Sequence, residues 1–261
     1  MTDEKKLQEL RGQIDAIDSQ MLDLLKKRAE VVAHVGEVKG KLPVYIRPGR
    51  EAKMLRALLT KDSGRLPKKL IHRLWREMIG AFTLQEGALR VAVAVPPGEE
   101  GLWDMARDHF GAFTPMEACT AVEALQKVTA KTHQVAALPY PAAGDEAWWS
   151  ALLADGAPKV FYRYPFDGEA GNARPTSHGG VLVGHIAPEE TGNDRTVLAV
   201  EWKSAPQNVE GQGAHVQASC SWIELDGFAL EPNDALNSWL AAHKDIILRA
   251  KIIGAYPVPV A

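Results

Sequence analysis

The first forty residues carry a regular pattern of apolar side chains at alternating spacings of three and four. Such spacing is typical of positions a and d of a heptad repeat on one long helix. We call this row the heptad seam, and its positions are Leu7, Leu10, Ile14, Ile17, Met21, Leu24, Arg28, Val31, Val35 and Val38. Thr2 or Asp3 can cap the helix, whereas Gly40 and Pro43 favour its end. The pattern therefore predicts a single helix from about residue 3 to about residue 40.

One position of the heptad seam, Arg28, is charged. A charge that is buried without a partner costs several kcal/mol, so an anionic group is expected to meet this guanidinium. A polar residue at an a position can also fix the register of a coiled coil, and at this point that alternative stays open.

Two further cations, Arg11 and Lys39, share one stripe of the predicted helix beside the seam, four heptads apart. At about 1.5 Å of rise per residue they lie roughly 42 Å apart, a distance that no small molecule spans. If both serve one ligand, they come from different chains of a dimer whose first helices run antiparallel. Arg28 and Lys39 are only about 16 Å apart and can converge on one small anion. Considered separately, Arg11 and Lys39 each have the character of an ordinary solvent-exposed charge that binds no ligand.

Two shorter helices are predicted after the first one. Pro48 suits the first turn of a second helix over residues 48–61, and apolar residues repeat at helical spacing over residues 66–87. The first helix is too long to be covered by the other two, which again favours a dimer. Residues 1–90 are therefore predicted to form an all-α unit of three helices.

The pattern changes near residue 90, where short apolar runs begin to alternate with amphipathic segments. Strands are predicted over residues 91–95, 135–140, 159–166, 181–186, 196–202, 221–225 and 250–256. Helices are predicted over residues 100–109, 121–130 and 234–243, and residues 167–180 have the composition of a loop. The predicted fold class is therefore an all-α N-terminal unit followed by an α/β or α+β domain.

Composition narrows the classes of function. The 261 residues are 46% hydrophobic and contain no run of about 20 apolar residues that would cross a bilayer. The N-terminus has no apolar core of a signal peptide, so we expect a cytoplasmic protein with no membrane partner. Cys119 and Cys220 give no disulfide framework, and the histidines show no ligand spacing, so no metal is expected.

Charge is distributed unevenly along the chain. Residues 1–90 hold 19 Lys and Arg against 12 Asp and Glu, a net charge of +7, whereas residues 91–261 hold 11 against 21, a net charge of −10. A basic half suggests anionic ligands or nucleic acid. Because the basic segments contain no interleaved aromatic residues and no recognition-helix pattern, nucleic acid is not expected as a partner.

The N-terminal sequence resembles a known family. LRGQIDAIDSQMLDLLKKRAEVVAHVGEVKG, followed by IRPGREAKML, is similar to the all-helical class of chorismate mutase, as found at the N-terminus of bacterial P-proteins. The resemblance covers about residues 5–88 and rests on the pattern LR-x₂-I-x₂-ID, then L-x-x-R, V-G-x-x-K and R-P-x-RE. It implies an intertwined homodimer with two sites, each built from both chains.

The resemblance also implies which residues hold the substrate, namely Arg11, Arg28, Lys39, Arg50, Glu51 and Glu86. Of these, Arg11 reaches the site from the partner chain, and Arg28 and Lys39 are cations of the other chain. Two positions depart from the family pattern. Arg47 stands where Asp is common and adds a cation near the mouth, so it joins the expected substrate-binding residues. Phe82 replaces a small hydroxyl residue and so removes a polar contact.

The chemistry that the resemblance implies needs no cofactor. Chorismate is a dicarboxylate, and its conversion to prephenate is a unimolecular pericyclic shift without a nucleophile or a metal. Arginines that bind the two carboxylates hold the compact conformer, and Lys39 stabilises charge that grows on the breaking ether oxygen. Glu86 can donate to the same oxygen only when it is protonated, so activity is expected to fall as the pH rises. Lys39, Glu86 and Arg28 are therefore the expected catalytic residues.

The second half resembles the rest of a P-protein, with departures. Within residues 91–190, the segments LRVAVAVPPGEEGLWDMARDHFG (which begins at residue 89) and VAALPY are similar to the start of a prephenate dehydratase domain. Within residues 191–261, TVLAVEW, SWIELDGF and AKIIGAYP are similar to an ACT regulatory domain. The dehydratase tract N-x-TRF is replaced by TSHGG, and the ligand loop of the ACT domain is replaced by SAPQNVEG. The Thr-Arg pair that the elimination needs is thus absent, and dehydratase activity is not expected.

These residues together predict a homodimeric chorismate mutase of the shikimate pathway, in aromatic amino acid biosynthesis, with residues 91–261 as a degenerate appendage. Two alternatives are kept. One is a bifunctional chorismate mutase/prephenate dehydratase. The other is a non-catalytic helical dimerisation or regulatory module whose appendage binds a partner. For the chorismate mutase itself, another enzyme of the shikimate pathway is a candidate partner of the appendage.

Overall fold

The N-terminal part of the chain is a unit of three helices. The computed structural model describes residues 3–40, 44–61, 63–141, 147–167, 179–204, 212–217 and 219–260, with the backbone alone for Lys39 and for residues 212–217. The helices are α1 (Asp3–Lys39), α2 (Pro48–Leu59) and α3 (Lys68–Glu86). The predicted all-α class of this N-terminal unit is thereby confirmed, whereas its bounds, residues 1–90, stay a prediction.

The local sequence explains where these helices begin and end. Asp3 and Glu4 lie in the first turn of α1, where carboxylates favour the helix dipole. Gly40 follows the end of α1 with a positive φ of 67°, which glycine adopts without strain. Pro48 occupies the first turn of α2, and α3 begins directly after Pro67. Short local signals thus fix the bounds of each helix.

Most of α1 has no cover within a single chain. Every side chain from residue 3 to residue 27 is exposed. Apolar residues of the heptad seam are among the most exposed, with 64% for Leu24, 61% for Val31 and 88% for Val38. A continuous row of exposed apolar side chains is typical of a surface that binds another protein.

The rest of the described chain forms one mixed sheet. In chain order its strands are β1 (Val91–Ala94), β2 (Met116–Cys119), β3 (Val135–Pro139), β4 (Lys159–Tyr164), β5 (Gly180–Gly184), β6 (Asp194–Trp202), β7 (Gln212–Gln217), β8 (Cys220–Asp226) and β9 (Ile247–Pro257). Their order across the sheet is β2-β1-β3-β5-β4-β9-β6-β8-β7. β1 runs parallel to β2 and β3, whereas β6 runs antiparallel to both of its neighbours.

Helices cover both faces of this sheet. In chain order they are α4 (Gly101–Phe110), α5 (Ala121–Thr129), a short 3₁₀ helix (Trp148–Leu153) and α6 (Asp234–Ala242). Val91 and Val93 of β1 share a core with α4, while Ala92 and Ala94 share a second core with α5. Because successive residues of a strand point to opposite faces, α4 and α5 lie on opposite sides of the sheet. The predicted class, a helical unit followed by an α/β or α+β domain, is confirmed, and the second part is α/β.

The strands and helices predicted after residue 90 are all present, with shifts of a few residues at their ends. β2, β7 and the 3₁₀ helix were not predicted. β2 has the sequence MEAC, which lacks β-branched residues, so its parallel pairing with β1 and not its own pattern makes it a strand. Of the predicted loop at 167–180, residues 168–178 lie outside the described residues.

Strands of the two regions predicted after residue 90 are neighbours in the same sheet. The predicted boundary between residues 190 and 191 falls between β5 and β6. β9 returns to pair with β4 on one side and with β6 on the other. The division into residues 91–190 and 191–261 stays a prediction, and the sheet itself runs across it.

The helical unit packs directly against the α/β part. Ala52 and Leu55 of α2 are fully buried in the same core as α4 and β4. On α3, a Cβ added to Gly80 would lie 2.0 Å from the carbonyl oxygen of Phe110, so only glycine allows this approach to the end of α4. α2 is therefore shared between the three-helix unit and the core beneath the sheet.

Candidate active site

A cavity of about 300 Å³ lies where α1, α2 and α3 meet. Its wall is largely apolar, and a few charged side chains converge on it, as is typical of sites for small molecules. The charged residues of the wall are Arg28, Arg47, Arg50, Glu51 and Glu86. Three cations and two carboxylates give the cavity an excess of positive charge, which suits an anionic ligand.

Arg28 belongs to the heptad seam of α1 and lines this cavity. Its Nη1 is buried and has no hydrogen-bond partner among the described residues. The guanidinium lies over the ring of Phe82, with Cζ 4.5 Å from the ring centroid. Burial, together with the nearby charge of Arg50, lowers the pKa of Arg28. Because arginine keeps its proton at neutral pH, the wall of the cavity holds a partly desolvated cation.

The first turn of α2 presents Arg50 and Glu51 to the cavity. Glu51 accepts a hydrogen bond from Nη1 of Arg76 at 2.8 Å, in an ion pair that is largely buried. Arg76 is itself only 2% exposed, and its Nε donates to the carbonyl oxygen of His109 on α4 at 2.7 Å. The carboxylate of Glu51 is thus held in place from α3, and its charge is offset there.

Arg47 precedes α2 at the cavity wall and pairs with a residue far away in the sequence. Its Nε donates to Oε1 of Glu189, which lies between β5 and β6. The other carboxylate oxygen, Oε2, accepts hydrogen bonds from the backbone N–H groups of Gly49 at 3.1 Å and Arg50 at 3.3 Å. One carboxylate of the α/β part therefore contacts both Arg47 and the first turn of α2.

Glu86 lines the cavity at the end of α3. It is half-buried, and a Cβ placed on Gly36 of α1 would lie 3.7 Å from its Cγ. Tyr45 also lines the cavity, and its hydroxyl donates to the carbonyl oxygen of Gly40 at 2.7 Å. The ends of α1 and α3 are thus close to each other beside Glu86.

The helices around the cavity have relatives among known proteins. Residues 10–87 match the chorismate mutase type II family. The match includes every charged residue of the cavity wall, and it confirms the resemblance stated from the sequence. It leaves out Glu189 and the α/β part that carries it.

Curated relatives extend the likeness beyond the residues that match this family. The bifunctional chorismate mutase/prephenate dehydratase of Pseudomonas aeruginosa is 35% identical over 133 residues, which cover 47% of this chain and 36% of that protein. The protein of the same name from Neisseria gonorrhoeae is 35% identical over 113 residues, 43% of this chain and 31% of that protein. The T-protein of Enterobacter agglomerans is 58% identical over 52 residues, 19% of this chain and 14% of that protein. The chain thus spans about a third of the length of the bifunctional relatives it matches.

Solved structures give more distant likenesses. Prephenate dehydratase from Arthrobacter aurescens, in complex with L-Phe, aligns at a TM-score of 0.41 and 13% identity, over 66% of this chain and 92% of that one. GqqA, described as a novel type of quorum quenching acylase, aligns at a TM-score of 0.41 and 14% identity, over 65% of this chain and 95% of that one. Likenesses at this level say nothing about activity.

The cavity brings together several of the predicted site residues, namely Arg28, Arg47, Arg50, Glu51 and Glu86. Arg11 is exposed, and it lies 17 residues before Arg28 on the same helix, or about 26 Å along the axis. It therefore does not reach this cavity within one chain. The side chain of Lys39 lies outside the described residues. The substrate and catalytic roles of all these residues stay predictions.

Sequence reasoning missed Arg76, Tyr45 and Glu189. Arg76 had a signal, because it shares a face of α3 with Ile79 and Thr83 at spacings of three and four. Glu189 had none, because its partner Gly49 lies 140 positions away. Phe82 was expected only to remove a polar contact. In the structure its ring lies beneath the guanidinium of Arg28.

The remaining expectations concern metal binding, membrane spans and the dehydratase and ACT tracts. Among the described residues, no group of three or more His, Cys, Asp or Glu side chains is arranged to hold a metal ion. None of the described helices is long and apolar enough to cross a membrane. The tracts TSHGG and SAPQNVEG, on which the dehydratase and ACT predictions depend, fall largely within residues 168–178 and 205–211, outside the described part.

Proposed function

We propose that this protein is a chorismate mutase, which converts chorismate to prephenate. The observation that supports the proposal most is the buried Nη1 of Arg28, which has no hydrogen-bond partner in the described part of the chain and belongs to a cavity wall. A guanidinium that has lost water without gaining a partner favours binding of a carboxylate. Chorismate carries two carboxylates, and the match of residues 10–87 to chorismate mutase type II points to the same ligand.

The proposed binding mode divides the charges of the substrate between α1 and α2. Arg28, on α1, binds one carboxylate of the substrate. Arg50, in the first turn of α2, meets the other carboxylate with its side chain. Glu51 repels the substrate little, because its carboxylate is paired with Arg76.

The proposed mechanism is conformer restriction with electrostatic stabilisation. The rearrangement is unimolecular, so the protein needs no nucleophile and acts by holding the reacting ends of chorismate together. Charge grows on the ether oxygen as its bond breaks, and we assign its stabilisation to Lys39 and to a protonated Glu86. Lys39 enters on the family resemblance, and Glu86 lines the cavity.

The working form is proposed to be a homodimer joined through α1. The exposed heptad seam supplies the apolar surface that such an interface needs. In an antiparallel pair related by a two-fold axis, Arg11 of one chain approaches the cavity of the other chain and completes its set of cations. Each dimer then has two sites, and each site uses both chains.

Complementation between inactive chains tests this arrangement. Arg11→Ala and Arg28→Ala are each expected to lose chorismate mutase activity in the full-length protein. When the two variants are unfolded together and refolded, half of the dimers are mixed, and each mixed dimer has one intact site. About a quarter of the wild-type activity is then expected to return. Arg65→Ala, which removes an exposed arginine outside the cavity wall, is the matched control and is expected to stay active.

Three outcomes would contradict the proposal or part of it. A wild-type chain that converts no chorismate refutes the activity and favours a dimerisation module. Activity without recovery on mixing refutes a site shared between two chains. Formation of phenylpyruvate from prephenate would favour the bifunctional alternative, whereas none is expected because the sequence lacks the Thr-Arg pair.

A further inference from the structure

The first turn of α2 lacks a cap of its own. Arg47 occupies the cap position, but its side chain makes no capping hydrogen bond, and Pro48 follows it. The carboxylate of Glu189 takes the place of this cap, since Oε2 accepts from the N–H groups of Gly49 and Arg50. These are the second and third residues of the helix, whose N–H groups a capping side chain usually serves. A carboxylate also suits the positive end of the helix dipole.

The chain is shaped to let this carboxylate approach. A Cβ added to Gly49 would lie 2.5 Å from the Cβ of Glu189 and 3.0 Å from its carbonyl oxygen, so a larger residue would push the two segments apart. Further along α2, Arg56 donates to the hydroxyl of Thr191 at 2.7 Å and to the carbonyl oxygen of Val258 at 2.6 Å. The segment that carries Glu189 is therefore held against α2 at both ends of the helix.

We propose that Glu189 is a positioning residue of the chorismate mutase site, supplied by the α/β part of the chain. The inference rests on the proposed function and gives the α/β part a role in that same reaction. Glu189 is not in the cavity wall. It acts through Arg47, which is in the wall, and through the helix turn that carries Arg50. Losing Glu189 would free the Arg47 side chain and loosen the turn that places Arg50.

Kinetics separate such a role from a purely structural one. Arg47 and Arg50 would meet carboxylates that the substrate carries before and during the reaction alike, so their displacement weakens the ground state and the transition state equally. This raises KM and leaves kcat nearly unchanged. A residue that only stabilised the fold would lower the fraction of active protein, which reduces the maximal rate and leaves KM unchanged.

The experiment is steady-state kinetics of the full chain with chorismate. Glu189→Gln removes the charge but keeps an acceptor for α2, whereas Glu189→Ala removes both. We expect KM to rise about threefold in the first variant and about tenfold in the second, with kcat within about twofold of the wild type. Glu190→Gln, at the exposed neighbouring position, is the matched control and is expected to keep the wild-type KM. In an Arg47→Ala chain, Glu189→Gln is expected to raise KM no further, because its partner is gone.

Two results would overturn the inference alone, given an active wild-type chain. One is a KM for both Glu189 variants equal to that of Glu190→Gln. The other is a reduced maximal rate at unchanged KM, in proportion to the folded fraction seen by circular dichroism. A wild-type chain that converts no chorismate refutes the proposed function and this inference with it. If Glu189→Ala does not fold, Glu189→Gln and its combination with Arg47→Ala still decide.

Discussion

Replacing Arg28 with methionine is expected to raise the stability of the protein while lowering its activity. The buried Nη1 of Arg28 has no partner among the described residues, and an unsatisfied buried donor costs about 1–3 kcal/mol. Methionine fills a comparable space and needs no hydrogen bond. The substitution also removes the guanidinium from the ring of Phe82, a contact worth about 0.5–1 kcal/mol. The net gain is about 1 kcal/mol, which corresponds to a rise of about 2–4 °C in Tm.

The effect on turnover has the opposite sign. If Arg28 binds a substrate carboxylate as proposed, Arg28→Met leaves that carboxylate in the cavity without its charged partner. Removing one member of such a pair costs about 3–5 kcal/mol. The loss in kcat/KM is then at least about 100-fold, since about 1.4 kcal/mol is a factor of ten.

Thermal unfolding and chorismate turnover, measured on the same preparations, test both halves of this prediction. Arg28→Lys is the matched control, because it keeps the positive charge and loses the planar fork that binds a carboxylate through two hydrogen bonds. We expect it to keep part of the activity and to gain less stability than Arg28→Met. A Tm that falls together with activity in Arg28→Met would show that the guanidinium is already satisfied without substrate, which would refute the reasoning.

Other parts of the chain allow three further tests. A fragment of residues 1–90 is expected to unfold at a much lower temperature than the full chain, because Ala52 and Leu55 lose the core that they share with α4 and β4. Burial of one leucine side chain contributes about 1.5–3 kcal/mol. Equal Tm values for the fragment and the full chain would contradict this prediction. Glu86→Gln is expected to keep more of kcat/KM than Glu86→Ala, since an amide can still donate to the ether oxygen, and equal values for the two variants would exclude Glu86 as the donor. Burial holds the pKa of His109 well below its usual value of 6.5, so below about pH 7 the unfolded chain takes up a proton that the folded chain does not. Urea unfolding is therefore expected to show a free energy of unfolding that falls from about pH 7 to about pH 5, and that falls less steeply in His109→Phe. An equal slope in the variant would contradict this prediction.

The fold was predictable from the sequence where its signals are local and repeated. The heptad seam and Gly40 predict α1 to within about one residue, because each turn of the helix restates the same pattern. β2 escaped prediction because four residues without β-branched side chains become a strand only through their pairing with β1. The place of β9 beside β4 escaped it too, since such neighbours depend on how the whole chain folds back.

The residues of the candidate site were likewise predictable only where local spacing along a helix determines their position. Arg28, Arg50 and Glu86 gather at one cavity because apolar spacing decides which face each helix turns inward. Glu189 joins them from the α/β part, and no spacing rule connects residues separated by 140 positions. The part that we assign to Arg11 depends on a second chain, which a sequence specifies only through the surface it leaves uncovered.

The position of β9 has a consequence for how the protein is made. β9 lies inside the sheet, between β4 and β6, yet it is the last of the described strands to leave the ribosome. Until residues 247–257 emerge, β4 and β6 each have an unpaired edge exposed to solvent, the kind of surface that chaperones recognise. The hydrogen bond from Arg56 of α2 to the carbonyl oxygen of Val258 also cannot form before then, since Val258 is translated just after β9. Chains whose translation stops before this point would have a sheet that is still open at its centre and would be prone to aggregate.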